Sequence, residues 1–240
     1  MVRRKPVDYS GFSLRRLNEP HFAHFKLLGG WIIYFLLYFI TENLIPEEKC
    51  HEIHCFVDDL IPFNEWFVII YVSWFLFVAG SLANTLFFDV PAFKKMQSFI
   101  MITQALAMLT YIIYPSIQNL RPETFPRQNL FTWGMGIIYA FDTPTGVCPS
   151  LHVAYSIAIL SVYLKDKTLP RGLKAGLTVY VLLVCAAVCF VKQHSFVDVL
   201  AALPVCLIGE ILLYGKEYWL PRWRRKKTKS NDETTIGEER

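Results

Sequence analysis

Residues 173–215 read LKAGLTVYVLLVCAAVCFVKQHSFVDVLAALPVCLIGEILLYG, two apolar runs separated by the polar turn Lys192-Gln193-His194-Ser195. Each run approaches the ~20 residues that an α-helix needs to cross the ~30 Å hydrocarbon core of a bilayer. Working outward, comparable runs lie at about 27–45, 65–88, 97–114 and 151–164. The last is short, but polar breaks bound it: Asp142-Thr143-Pro144-Thr145-Gly146 before it, Lys165-Asp166-Lys167 and Pro170 after it. The expectation is an all-α protein, a six-helix transmembrane bundle. A further apolar stretch at 129–141 follows Pro126. It is too short to span and predicts a short interfacial helix between spans three and four.

Composition agrees. The 240 residues are 54% hydrophobic and 18% charged, more apolar surface than a soluble domain of this size hides within itself. No repeat at solenoid spacing divides the chain, which reads as a basic N-terminal segment (1–26), a membrane domain (27–215) and a basic, polar tail (216–240). The first apolar run begins near Leu27, is too long for a signal-peptide core and lacks a small-residue cleavage site after it, so it reads as a retained span. In the six-span arrangement twenty of the 24 Lys and Arg residues fall on one side. That bias places both termini in the cytoplasm. Lys49, Arg121, Arg127 and Lys192 remain on the other side. The expected location is the plasma membrane with an extracytoplasmic active site, although an endomembrane with a luminal site fits the same topology. The basic residues from Arg222 to Lys229 suit anionic lipid headgroups rather than nucleic acid.

Cys185, Cys189 and Cys206 lie within apolar runs, where a thiol behaves as a small hydrophobe. Cys50 and Cys55 flank a hydrophilic loop and are close enough in sequence to pair in an oxidising compartment. The same loop, Cys50-His51-Glu52-Ile53-His54-Cys55 followed by Asp58 and Asp59, has metal-ligand residue types. No second ligand pair with zinc-finger spacing follows it, and a solvated outer loop is the simpler reading; no metal or cofactor is expected.

Three segments fall at helix ends on the outer side: Leu120-Arg121-Pro122, Cys148-Pro149-Ser150-Leu151-His152 and Lys192-Gln193-His194-Ser195-Phe196-Val197-Asp198. His194 and Asp198, four apart on a helix, share one face. A carboxylate that accepts the Nδ1 proton leaves the Nε2 lone pair free as a nucleophile or base; the plainer reading is an acid at a helix start, favoured by the macrodipole. Ser150 and Pro149 start helices well, so His152 is either incidental to a cap or an acid beside a phosphate held by helix N-terminal amides and the Ser150 hydroxyl. Arg121 offers a guanidinium fork for phosphate, and Lys192 a further cation, unless these snorkel to headgroups, as expected of Arg127.

The order Arg121-Pro122, then Pro149-Ser150-Leu151-His152, then His194 and Asp198 four apart, resembles the type 2 phosphatidic acid phosphatase superfamily of membrane lipid phosphatases and phosphotransferases. The resemblance covers roughly residues 60–215. It implies a lipid phosphatase that cleaves a phosphomonoester or pyrophosphate, with His194 as nucleophile, Asp198 orienting it and His152 protonating the departing alkoxide. Arg121, Ser150 and Lys192 would hold the phosphate of the lipid substrate. The chain departs from the pattern: Tyr114 stands where the family has a Lys, Ala187 and Val188 where it has Ser-Arg, and Leu151 where it has Gly. The reduced set is similar to the inositol phosphorylceramide synthase and sphingomyelin synthase branch, which implies transfer of a phospho-headgroup to an alcohol. Two other classes stay open: a transporter or binding protein for a phosphorylated lipid, and a structural subunit in which Gln104 and Asn84 join helices.

Overall fold

The computed structural model describes residues 4–224; most of the basic run from 222 to 229, and the polar C-terminus, lie outside the described residues. Eight α-helices account for most of the described chain: α1 (Gly29–Leu44), α2 (Phe56–Leu60), α3 (Val68–Phe88), α4 (Val90–Ile113), α5 (Leu130–Phe141), α6 (Leu151–Lys165), α7 (Arg171–Phe190) and α8 (Phe196–Tyr214). Two two-residue strands, β1 (His51–Glu52) and β2 (Ser116–Ile117), pair in parallel. Five helical stretches, Ala23–Leu44, Glu65–Phe88, Val90–Ile113, Arg171–Phe190 and Phe196–Arg224, are long and apolar enough to cross a membrane. The sequence therefore folds as a multi-pass helical protein.

Several helices start where a side chain can satisfy the free amides of the first turn. Asp89 alone separates α3 from α4, accepting the Ala92 N–H at 3.1 Å, so the two form a tight hairpin. Asn129 caps α5, Ser150 caps α6 and Ser195 caps α8. The expected helix after Pro126 is present as α5, which packs against α3.

The centre of the bundle is α6, packed against α3, α4, α7 and α8. Its Val153, Ala154, Ala158 and Ile159 are fully buried. Small residues at two of these positions let the neighbouring helices approach closely. The outer helices turn apolar side chains away from the bundle: Leu76 on α3 is 76% exposed, and α1 buries no residue at all. In water such a surface would drive aggregation; in hydrocarbon it is at home.

Helix ends gather at two opposite faces. At one, Arg4 bridges Asp89 and Asp166, Lys95 meets Glu217 at 3.0 Å, and Lys165 meets Glu210 at 2.6 Å. At the other, His51 and Ile53 amides bond the carbonyls of Pro115 and Ile117, Asn64 N–H reaches Phe190 O at 2.9 Å, and Ser150 N–H reaches Asp198 O at 3.1 Å.

At Gly209 the α8 backbone meets a ring: a Cβ there would lie 2.3 Å from Phe99 Cε2, and Phe99 is fully buried. Gly209→Ala is therefore expected to cost about 1–3 kcal/mol through overpacking, read as a lowered unfolding midpoint in detergent. An unchanged midpoint would mean that Phe99 has room to yield.

Candidate active site

The bond between Ser150 N–H and Asp198 O joins the first turns of α6 and α8. It sets His152 opposite His194. His194 Nδ1 lies 3.2 Å from Asp198 Oδ2, and His152 Nδ1 lies 3.2 Å from His194 Nε2. A carboxylate can only accept, so the first bond places a proton on His194 Nδ1 and leaves its Nε2 as a lone pair. The second bond then carries a proton on His152 Nδ1. The chain Asp198–His194–His152 thus presents an imidazole lone pair, with a carboxylate orienting its ring on one side and an N–H donor facing it on the other.

Asp198 does two jobs. The same Oδ2 accepts the Ser195 N–H at 2.9 Å, closing the capping box of α8. Helix cap and imidazole orientation, alternatives in the sequence, coincide here. His194 and Asp198 are buried. The ring of His152 sits against Trp74 and Tyr71, with centroids 4.2 and 4.8 Å away, and its Nε2 is buried without a partner.

Both imidazoles open into a cavity of about 630 Å³. Aromatic side chains of α1 (Trp31, Tyr34, Phe35, Tyr38) and α3 (Tyr71, Trp74, Phe75) form much of its wall, with Ile137, Ile138 and Phe141 of α5 beside them. Its polar end consists of His152, His194, Gln193, Asp142, Thr143 and Thr145. No Lys or Arg lines it among the described residues. Such a volume, mostly apolar with convergent polar groups at one end, is what a ligand with a hydrocarbon portion needs.

The expected phosphate contacts take other positions. Arg121 does not line the cavity. Its guanidinium donates to the carbonyls of Asp142 at 2.8 Å and Tyr139 at 3.3 Å and to Gln193 Oε1 at 2.6 Å, and stacks over the Tyr139 ring at 4.6 Å. Burial pushes its pKa down, against the pull of Asp142. Gln193 in turn donates to Asp142 Oδ2 at 3.1 Å, so Arg121 fixes the cavity wall at one remove. Burial pushes the Asp142 carboxyl above its ordinary range, Arg121 opposing. Ser150 is fully buried as the cap of α6. Lys192 has a left-handed backbone (φ 54°) and donates to Asp58 O at 2.9 Å. It faces a separate polar cleft with His54, Asp59 and Asn119. Arg127 pairs with the buried Glu65 at 2.8 Å rather than reaching out to headgroups.

The outer loop separates its metal-ligand types. His51 stacks on Tyr114 at 4.1 Å and His54 pairs with Asp59 at 2.8 Å. Among the described residues no group of three or more His, Cys, Asp or Glu could hold a metal ion. All six cysteines are unpaired: the Cys50 thiol points to Pro46 O and Cys55 caps α2. Burial pushes the Cys148 thiol up to about 12, which removes it as a nucleophile near neutral pH.

No protein-family model, curated protein or solved structure matches the chain.

Three residues of the site escape sequence reasoning: Gln193, Asp142 and Asp58. Gln193 lies beside His194 and Asp142 opens the break before α6, so proximity to the motifs was a usable signal for both. Asp58 stood out only among the metal-ligand types of its loop, because the partners that tie it to the site are more than 130 positions away. Arg121→Lys tests the network: one ammonium cannot reproduce three acceptor directions and a stacked plane. The variant is expected to be about 1–3 kcal/mol less stable. A midpoint equal to the parent's would show that the fan of hydrogen bonds contributes nothing.

Proposed function

We propose that the protein is an integral membrane enzyme that transfers the phosphoryl group of a lipid through a phosphohistidine on His194, a phosphatase of the type 2 phosphatidic acid phosphatase kind. The observation that carries this reading is the Asp198–His194–His152 chain at the polar end of an apolar cavity. His194 Nε2 attacks phosphorus, the bond from phosphorus to the lipid oxygen breaks, and that oxygen takes a proton from His152, which enters the step as imidazolium and leaves it as neutral imidazole. Asp198 stabilises the charge on the His194 ring. Water then attacks the phosphohistidine, gives a proton to His152 and releases phosphate as the phosphorus–nitrogen bond breaks, returning both imidazoles to their starting state. The chemistry needs positioned groups more than it needs a metal.

In this reading the bundle crosses the membrane six times, α6 being the sixth crossing beside the five longer helices. Fifteen residues reach only about 22 Å, and the burial of α6 among the other helices supports a crossing that need not meet lipid along its whole length. α5 lies at the interface, both termini face the cytoplasm, and the site opens on the outer side of the plasma membrane. The clustering of Arg4, Lys95 and Lys165 at the face opposite the histidines supports that orientation.

A specific observation favours transfer to an alcohol as the second reading. Among the described residues the cavity wall carries a carboxylate and no Lys or Arg, and a dianionic monoester at its polar end would meet little fixed positive charge from them. A phosphodiester carries less charge on phosphorus and suits such a site better. Either acceptor uses the same covalent step.

His194→Ala is expected to abolish both turnover and acid-labile label on protein incubated with radiolabelled lipid phosphates. His152→Ala should still bind lipid but react about 10²–10⁴-fold more slowly. Full activity in His194→Ala would end this reading.

A further inference from the structure

The turn that carries His194 is gripped from outside as well as from within its own helix. On the inner side Gln193 and His194 amides both donate to Val188 O, at 3.0 and 3.1 Å, and Gln118 Nε2 donates to Lys192 O at 3.0 Å. On the outer side the loop between α1 and α3 sends in Asp58. Its Oδ2 accepts the Ser195 hydroxyl at 2.6 Å and its Oδ1 accepts the Phe196 N–H at 2.7 Å. Oδ2 also takes the Cys55 N–H at 2.9 Å, and Lys192 Nζ donates to the Asp58 carbonyl.

Asp58 is only 2% exposed, and no cation touches its carboxylate: the donors are amides and a hydroxyl. Burial alone would raise its pKa, yet the hydrogen bonds from Ser195, Phe196 and Cys55 bring it below the ordinary carboxylate range. A buried charge held by neutral dipoles is a costly way to join two loops. Its placement one and two residues beyond His194 gives it a second use. Ser195 stands between two carboxylates, Asp198 taking its N–H and Asp58 its O–H. With Asp58 present, the hydroxyl is committed outward and Asp198 Oδ2 is left to the Ser195 amide and His194 Nδ1.

We infer that Asp58 is a positioning residue for His194: by holding the Ser195 hydroxyl and the Phe196 amide, it reserves Asp198 for the imidazole and fixes the Nδ1-protonated tautomer. This rests on the phosphoryl-transfer reading for its consequence in catalysis, but not for its effect on the ring. Without the link between the Asp58 carboxylate and the Ser195 hydroxyl, the turn is no longer pinned from outside, Asp198 loses its fixed approach to His194 Nδ1, and the tautomer whose lone pair lies on Nε2 is no longer enforced.

The test uses the full chain in lipid nanodiscs, with Asp58→Asn, Ser195→Ala and the double variant. One readout is the ¹⁵N signature of the His194 ring, assigned by its loss in His194→Gln; the other is the rate of phosphohistidine formation from radiolabelled lipid phosphates. Both single variants are expected to convert the ring from one tautomer to a mixture and to slow phosphohistidine formation about 100-fold. KM should move less than about threefold, and the double variant should be no slower than Asp58→Asn, since both cut one link. An unchanged His194 signature in the variants overturns the proposal whatever the activity. A tautomer mixture in variants of a chain that forms no phosphohistidine upholds the positioning role and overturns the phosphoryl-transfer reading instead. Should Asp58→Asn fail to fold, Ser195→Ala decides by the same signature.

Discussion

The hydrogen bond from Ser150 N–H to Asp198 O ties the start of α6 to the start of α8. Two helices that begin 45 residues apart in sequence are brought into register by it. Because both N-termini end at the same depth, residues of the two first turns share one small volume, and orphan amides that would be expensive in a bilayer find partners there. The rest of this face is arranged around the joint. Tyr111 on α4 donates to Pro149 O at 2.8 Å, Gln118 reaches Lys192, and the α1–α3 loop closes over the top. A bundle whose helices met only along their apolar flanks would have no comparable fixed point.

Much of this was legible in the chain. The long apolar runs announced the helices because hydrocarbon demands continuous apolar length, and that demand leaves a mark in sequence that needs no tertiary knowledge. Helix starts at Asn129, Ser150 and Ser195 were equally local, resting on side chains that bond their own amides. The pairing of His194 with Asp198 followed from a spacing of four. His152 meeting His194 did not follow from spacing, and only the shared side of the membrane pointed to it.

What the chain concealed was where the cations go. Arg121 and Lys192 were read as reaching for a ligand because an outer basic residue is unusual under the positive-inside rule. Lys192 instead donates to a backbone carbonyl, and Arg121 to two backbone carbonyls and Gln193 Oε1. A carbonyl acceptor has no residue identity, so no pattern of letters can forecast such a bond. The loop Cys50–Asp59 has residue types able to hold a metal, yet His51, His54 and Asp58 have each found a different neighbour. Composition describes what a loop is able to hold, and the tertiary partners decide which option survives.

The direct contact between His152 and His194, 3.2 Å from nitrogen to nitrogen, has one more implication. The two rings satisfy each other, and the space between them is too narrow for a tetrahedral phosphorus. On the phosphoryl-transfer reading, an incoming headgroup must break that internal partnership before it can be attacked. A neutral hydrogen bond of this kind is worth about 1 kcal/mol, so the site gives up roughly fivefold in affinity. On that reading, the same contact keeps His194 Nε2 occupied until a visitor wedges the rings apart.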